Sequence, residues 1–361
     1  MKRFSKLFLF IFAFFAFSML LHLGRDLLFD WDECLYGQYA KEMVQSGHFL
    51  TNIWNGYIDL QKPPLYSWLL QLPLLFGRNE FTLRILTVFG ALGIITSTYL
   101  FAKKYFSEFV AILSVLILLC AELFVIYSTK MTTDMLYTLF IFLGVWSWLH
   151  SGQKGVSRSK IYVLCSGILF GLAIMVKGIG ALQFLLALFI ALFLNFNKKR
   201  LLDFIRVCAI CAAVVIPWHL ITYLTYGDRF IKVYIFDNII KRSRYPIEFH
   251  RERIWFYFVL LYRELSPWIF AFFIFPITSF FNLLKTKKWG FKKYEMVYTI
   301  LLLIIIPLAS ITRVQTRIAW YALPIYPFLA IYLAYNLDLL IRRLSNNLTH
   351  KSKTTLILYS I

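Results

Sequence analysis

Two adjacent carboxylates, Asp32 and Glu33, follow the first apolar run of the chain. A carboxylate at a membrane edge can act as a general base or ligate a metal. Asp is also a good helix N-cap and Glu favours a first helical turn, so a cap and a catalytic group can coincide. Lys62 is followed by Pro63-Pro64, which deny a helix there and hold the lysine in extended backbone. Lys130 and Asp134 share the polar turn Ser128–Asp134, Lys177 ends Gly171–Lys177 in a very short turn, and Arg313 and Arg317 precede Trp320-Tyr321-Ala322-Leu323-Pro324. For Lys130, Lys177 and the two arginines, snorkelling to a membrane surface is an equally available reading. Glu122 sits within an apolar run, where a carboxylate calls for a partner or an aqueous cavity.

The elements that position these groups are hydrophobic. Of 361 residues, 60% are apolar and 19% aromatic, including 37 Phe, and the mean hydropathy is +0.69. A water-soluble domain of this size has no interior large enough for so much apolar surface. Apolar runs fall at 7–24, 85–102, 109–127, 135–150, 161–176, 179–195, 204–224, 267–284, 296–311 and 319–341. They lack the polar/apolar alternation of a barrel, which predicts an all-α polytopic membrane protein of about ten transmembrane helices. Met1–Gly24 has a basic start and an apolar stretch, but no small-x-small cleavage site precedes Asp30, so a retained first helix is expected.

Charge gives an orientation. Short connections carrying Lys2/Arg3/Lys6, Lys103/Lys104, Lys154/Arg158/Lys160, Lys198/Lys199/Arg200/Arg206, Lys285 to Lys293 and Arg342/Arg343/Lys351/Lys353 all fall on one side. The positive-inside rule makes that side cytoplasmic, N-terminus included. The net charge of +20 then reads as topology and calls for no nucleic acid. Two long loops, about 25–84 and 225–266, lie on the opposite, outer face. The first is expected to hold amphipathic helices ending at Gly47 and spanning Tyr66–Leu75. The second carries Arg229, Lys232, Lys241, Arg242, Arg244, Arg251, Arg253 and Arg263 against Asp228, Asp237, Glu248, Glu252 and Glu264. An anionic partner explains that surplus, and a solvated domain that escapes the charge rule explains it too. Cys208 and Cys211 form a C-x-x-C inside a span with no nearby His or Cys pair, and read as core residues. The sequon at Asn347 falls on the cytoplasmic side.

Taken in order, Asp32-Glu33 with Tyr36 and Ala40, Gly47, Lys62-Pro63-Pro64-Leu65, Asn79-Glu80-Phe81 with Arg84, the turn ending at Asp134, Gly171–Gly178, Pro217-Trp218 and Tyr321–Pro327 resemble the dolichyl-phosphate-mannose/aminoarabinose transferase-like glycosyltransferases of the GT-C superfamily. The resemblance extends over nearly the whole chain. It implies an enzyme of the cytoplasmic (inner) membrane that moves a hexose or pentose from a polyprenyl-phosphate carrier to an envelope lipid, glycan or protein acceptor on the outer, periplasmic face. It maps catalytic carboxylates to Asp32, Glu33 and Asp134, and carrier-phosphate contacts to Lys62, Arg84 and Arg317. Where Arg317 stands the family usually has Lys, which alters geometry at constant charge. A divalent metal on Asp32 or Asp134 is compatible with this chemistry, though few further ligands are evident. Residues 1–341 are expected to form the GT-C-like membrane domain, and 342–361 a basic cytoplasmic tail that reads as the start of a further part. A transporter or flippase of a lipid-linked sugar would share the spans and the anion-attracting loops. Its usual internal repeats and mid-membrane charges are not evident in this sequence.

Overall fold

The computed structural model describes residues 2–28, 31–77, 79–153, 155, 159–247, 251–286 and 294–359. Asp30, Arg78, Lys154, Arg158, Glu248 and the basic residues between 287 and 293 lie outside the described residues. Helix α1 (Lys2–His22) leads into the first long loop, which is built from α2 (Asp32–Ser46), a two-stranded hairpin of β1 (Asn52–Trp54) and β2 (Tyr57–Asp59), and α3 (Leu65–Leu74). The bundle continues with α4 (Glu80–Tyr105), α5 (Glu108–Cys120), α6 (Glu122–Tyr127), α7 (Asp134–Ser151), α8 (Ser159–Lys177), α9 (Leu182–Ala191) and α10 (Lys198–Tyr226). Next come α11 (Asp228–Phe230), a π-helical segment Ile231–Lys241, and α12 (Arg242–Arg244). Helices α13 (Phe256–Leu265), α14 (Ile274–Thr286), α15 (Glu295–Arg313) and α16 (Tyr326–Tyr359) complete the chain, and α16 runs unbroken through residue 342.

Neighbouring helices form a continuous series: α10 packs on α8, α8 on α7, α7 on α4, α4 on α5, α5 on α16, α16 on α15 and α15 on α9. Small residues set the closest approach. A Cβ at Gly167 would lie 2.6 Å from Ile210, and one at Gly171 would lie 2.6 Å from Val214, so glycines one turn apart let α8 press on α10. Helix α4 starts in a capping box, the Asn79 side chain accepting from Thr82 N at 2.9 Å while Asn79 N donates to Thr82 Oγ1 at 3.3 Å.

Each expected apolar run forms a helix or a broken helix. Among the described residues six helices are long and apolar enough to cross a membrane, or seven if the pair Phe256–Leu265 and Trp268–Phe281, bent by 111°, is one span. Three of the ten expected runs fall outside that count: 109–127 breaks at Ala121, Ile179–Asn195 is a shorter apolar helix, and 135–150 lies in an 18-residue helix that begins at Asp134 and ends in His150-Ser151. The break has a tertiary cause: the buried Glu264 carboxylate accepts from Leu123 N at 2.7 Å and caps α6. Glu122, where a partner or cavity was expected, is simply exposed at this break.

In the first loop α2 ends at Gly47, whose φ of 68° lets its N–H reach Met43 O. The hairpin turns at Asn55-Gly56, both with positive φ. Glu42 of α2 accepts from the N–H groups of Asn55 and Gly56 at 2.8 and 2.9 Å, pinning that turn to the helix. The second loop is helical over Asp228–Arg244 and Phe256–Leu265. Its Phe230 and Tyr234 pack with Trp218, Met175 and the first loop's Leu60 in a small core of their own.

Candidate functional site

Helix α2 begins at a strained residue. Trp31 has φ 74° and ψ −79°, a conformation that a bulky side chain seldom adopts. It turns the chain so that Asp32 and Glu33 point to different surroundings. Glu33 is buried at 1% exposure. Arg84, in the second turn of α4, grips it bidentately, with Nε to Oε1 at 2.8 Å and Nη2 to Oε2 at 2.7 Å. Met131 N adds a bond to Oε1 at 2.7 Å. The remaining Arg84 donors go to the carbonyls of Leu23, Asp26 and Leu27 at 2.8–2.9 Å. The guanidinium expected on the carrier phosphate therefore already has a partner for each of its N–H groups.

A second carboxylate is paired in the same way. Asp134, 3% exposed at the start of α7, forms an ion pair with Lys177 at the end of α8. The ammonium lies 5.7 Å from the Tyr137 ring and 5.5 Å from the Tyr321 ring. Gly178 follows with φ 103°, which turns the chain immediately after Lys177.

Asp32 and Lys62 differ from these pairs. Asp32 is half-buried, and among the described residues its carboxylate accepts no hydrogen bond and closes no ion pair. Lys62 extends from the loop after β2, its carbonyl held by Asn52 Nδ2 at 3.1 Å and Asn52 held in turn by Ser67 Oγ at 2.7 Å. Its ammonium donates to the Tyr36 hydroxyl and lies 4.9 Å from that ring. Burial opposes the charge on Lys62, but the Tyr36 oxygen, Asp32 and Tyr321 outweigh it and hold the ammonium above the usual lysine range. Tyr127 lies within electrostatic reach of both Asp32 and Asp134, and Tyr321 of both Lys62 and Tyr137. Asp32, Glu33, Lys62, Arg84 and Asp134 thus converge at one end of the bundle.

Arg317 stands apart. It is buried, and donates from Nη1 to Glu252 O at 2.6 Å and from Nε to Thr312 O at 3.1 Å, tying the second loop to the end of α15. Seven of that loop's cations (Arg229, Lys232, Lys241, Arg244, Arg251, Arg253 and Arg263) are exposed. Among the described residues no group of three His, Cys, Asp or Glu side chains is placed to hold a metal ion. Glu33 and Asp134 face cations instead. Sequence reasoning named Lys177 without its role, and it passed over Tyr36 as a lysine partner. The only signal for Lys177 was a cation directly before a glycine.

Residues 61–221 match the family described as dolichyl-phosphate-mannose-protein mannosyltransferase. An uncharacterized protein of Aquifex aeolicus is 28% identical over 320 residues, 87% of this chain and 60% of that protein. The undecaprenyl phosphate-alpha-4-amino-4-deoxy-L-arabinose arabinosyl transferase of Shewanella sediminis is 24% identical over 328 residues, 89% of this chain and 58% of its own. Two solved folds align across the chain. ArnT from Cupriavidus metallidurans bound to undecaprenyl phosphate gives a TM-score of 0.76 at 18% identity, covering 92% of this chain and 60% of that one. The Archaeoglobus fulgidus oligosaccharyltransferase gives 0.59 at 14%, covering 94% and 52%. The chain spans about 60% of the length of the curated relatives it matches. It shares the all-α fold of these solved structures and is a multi-pass membrane protein.

Proposed function

We propose that this chain belongs with the ArnT/PMT-like GT-C glycosyltransferases it resembles, and that it transfers a sugar from a polyprenyl-phosphate carrier to an envelope lipid, glycan or protein. The matched arabinosyl transferases are named for an undecaprenyl phosphate donor. The supporting observation is local: of the three carboxylates named at the site, Glu33 and Asp134 are ion-paired with Arg84 and Lys177, and Asp32 closes no ion pair among the described residues. A base needs a free lone pair, and Asp32 has it. Lys62 is likewise in no ion pair among the described residues, so its charge remains available to an anion.

The acceptor's nucleophilic atom attacks the anomeric carbon as the bond from that carbon to the phosphate oxygen breaks. Asp32 takes the acceptor's proton, and the polyprenyl phosphate leaves with its negative charge against Lys62. Arg84 fixes Glu33, and Lys177 fixes Asp134, so these four act as structure at the end of the bundle where Asp32 and Lys62 lie. Arg317 ties Glu252 of the second loop to the end of α15. No step runs through a metal. In this reading residues 1–341 form the membrane transferase domain and 342–361 a cytoplasmic tail. The N-terminus is cytoplasmic, and the two long loops face the periplasm across the inner membrane, as the basic short connections indicate.

The test uses the purified chain in nanodiscs with a panel of polyprenyl-phosphate sugars, mass spectrometry following loss of sugar from the carrier. Turnover that falls roughly 10²–10⁴-fold in Asp32→Asn is expected. Near-normal turnover in that variant removes Asp32 as the base. Saturable carrier binding with no turnover for any donor favours transport instead.

A further inference from the structure

We infer that the surface beside Asp32 is an acceptor subsite for a saccharide, laid across Trp31, Trp54 and Tyr57. This rests on the transferase reading and narrows the acceptor class. Two open grooves flank Trp54. One, of about 260 Å³, lies between Trp31 and Trp54 and is rimmed by Gln38 and Asn55, with Cys34 in its wall. The other, of about 250 Å³, continues past Trp54 to Tyr57, Gln61 and Arg229. The two tryptophan rings meet edge to face at 5.7 Å, and Trp31 and Tyr57 are 66% and 77% exposed.

The chemistry of this trough separates it from the lipid-facing surface. The exposed face of α1 presents Phe10, Phe14 and Phe17 in a purely apolar sequence, as a helix against acyl chains requires. Along the trough, aromatic rings alternate with side-chain amides, the Asp59 carboxylate and the Arg229 guanidinium, with Leu35, Ile58 and Val233 as its aliphatic parts. Sugars pair apolar C–H faces with equatorial hydroxyls, and that alternation of flat rings and hydrogen-bonding groups is complementary to them. The backbone supports the same reading. Trp31 is held exposed in a positive-φ conformation that its own packing does not require, and it is the residue directly before Asp32. Trp54 immediately precedes the Asn55-Gly56 turn, which Glu42 fixes through two N–H bonds. Those bonds hold the platform in place, and Trp31 joins it to the start of the helix that carries the proposed base.

Cys34 provides a readout that needs no variant. In the wild-type protein in nanodiscs, chitobiose should slow maleimide modification of Cys34, located by mass spectrometry, and leave exposed Cys120 unaffected. Saturation-transfer NMR with chitobiose should show contact with aromatic protons, and Trp54→Ala should weaken binding at least about tenfold. Trp54→Phe, which keeps a ring, should retain most of it. Unchanged Cys34 reactivity up to the solubility limit of chitobiose and of a hyaluronan tetrasaccharide overturns the inference. So does protection of Cys34 by a Ser/Thr-containing peptide in place of the sugars. Asp32-dependent release of donor sugar without saccharide protection sinks the platform alone and leaves the transferase standing. Protection without release from any donor sinks the transferase reading and leaves a saccharide-binding surface.

Discussion

Arg84→Met distinguishes a phosphate ligand from a structural clamp. The substitution keeps much of the side chain's length and removes its five donors. It strips the bidentate partner from Glu33, which is 1% exposed, and frees the carbonyls of Leu23, Asp26 and Leu27. Breaking a buried ion pair by deleting one partner costs about 3–5 kcal/mol, because the surviving charge stays desolvated. At about 1.4 kcal/mol per tenfold, the folded-to-unfolded ratio should drop by two to almost four powers of ten. Arg84→Met/Glu33→Leu removes the stranded charge as well and should recover most of that loss. Denaturant unfolding in mixed micelles measures the first quantity. Equilibrium binding of undecaprenyl phosphate to the folded fraction measures a second, which should barely change in Arg84→Met. In Lys62→Met it should weaken by roughly 10–100-fold, the range of a hydrogen bond to a charged group. If Arg84→Met leaves stability intact and weakens carrier binding as Lys62→Met does, the guanidinium reaches the phosphate and the clamp argument is wrong.

Lys177→Met should destabilise the bundle by about 3–5 kcal/mol by leaving Asp134 buried without its cation, and adding Asp134→Asn should restore most of it, read in the same unfolding assay. Gly171→Leu should cost about 1–3 kcal/mol and lower the yield of monodisperse protein, since a Cβ there falls 2.6 Å from Val214. Lys62 also predicts a pH response. Its folded value is raised above the ordinary lysine range, so any stability from its charge is complete below that range and is lost only as pH climbs through the higher folded value. Carrier binding should therefore show no Lys62-dependent loss below about pH 10.4, the ordinary lysine midpoint. A loss that begins near neutrality and disappears in Lys62→Arg would contradict this.

Periodicity and punctuation carried the regular parts of the fold. The helix ending at Gly47, the helix after Pro63-Pro64 and the ten apolar runs all rest on local rules that hold before tertiary contacts form. The hairpin at 52–59 was legible but overlooked: Asn55-Gly56 lies between Ile53-Trp54 and Tyr57-Ile58, a strong two-residue turn signal. The break at Ala121 was not legible. No Pro or Gly marks it, and the carboxylate that caps α6 arrives from Glu264, far along the chain. The 111° bend between Phe256–Leu265 and Trp268–Phe281 is marked in the sequence by Pro267, but the helix before it was assigned to a loop on composition.

At the site, residue type identified the participants but not their pairing. Lys62, Arg84, Lys177 and Arg317 are equivalent in sequence terms: each is a cation near the end of an apolar run or loop. What separates them is whether an anion already faces them, and that depends on contacts such as Arg84 to Glu33 and Lys177 to Asp134, which join different helices. A charge buried beside its counter-ion is satisfied and acts as structure, whereas Lys62, hydrogen-bonded to a tyrosine hydroxyl and in no ion pair among the described residues, still attracts an anion. By that criterion Lys62 is the strongest of the four as a phosphate ligand. Applied to the carboxylates, it selects Asp32 over Glu33 and Asp134. The proposed acid–base and phosphate contacts thus fall to Asp32 and Lys62, which close no ion pair among the described residues and lie within electrostatic reach of each other.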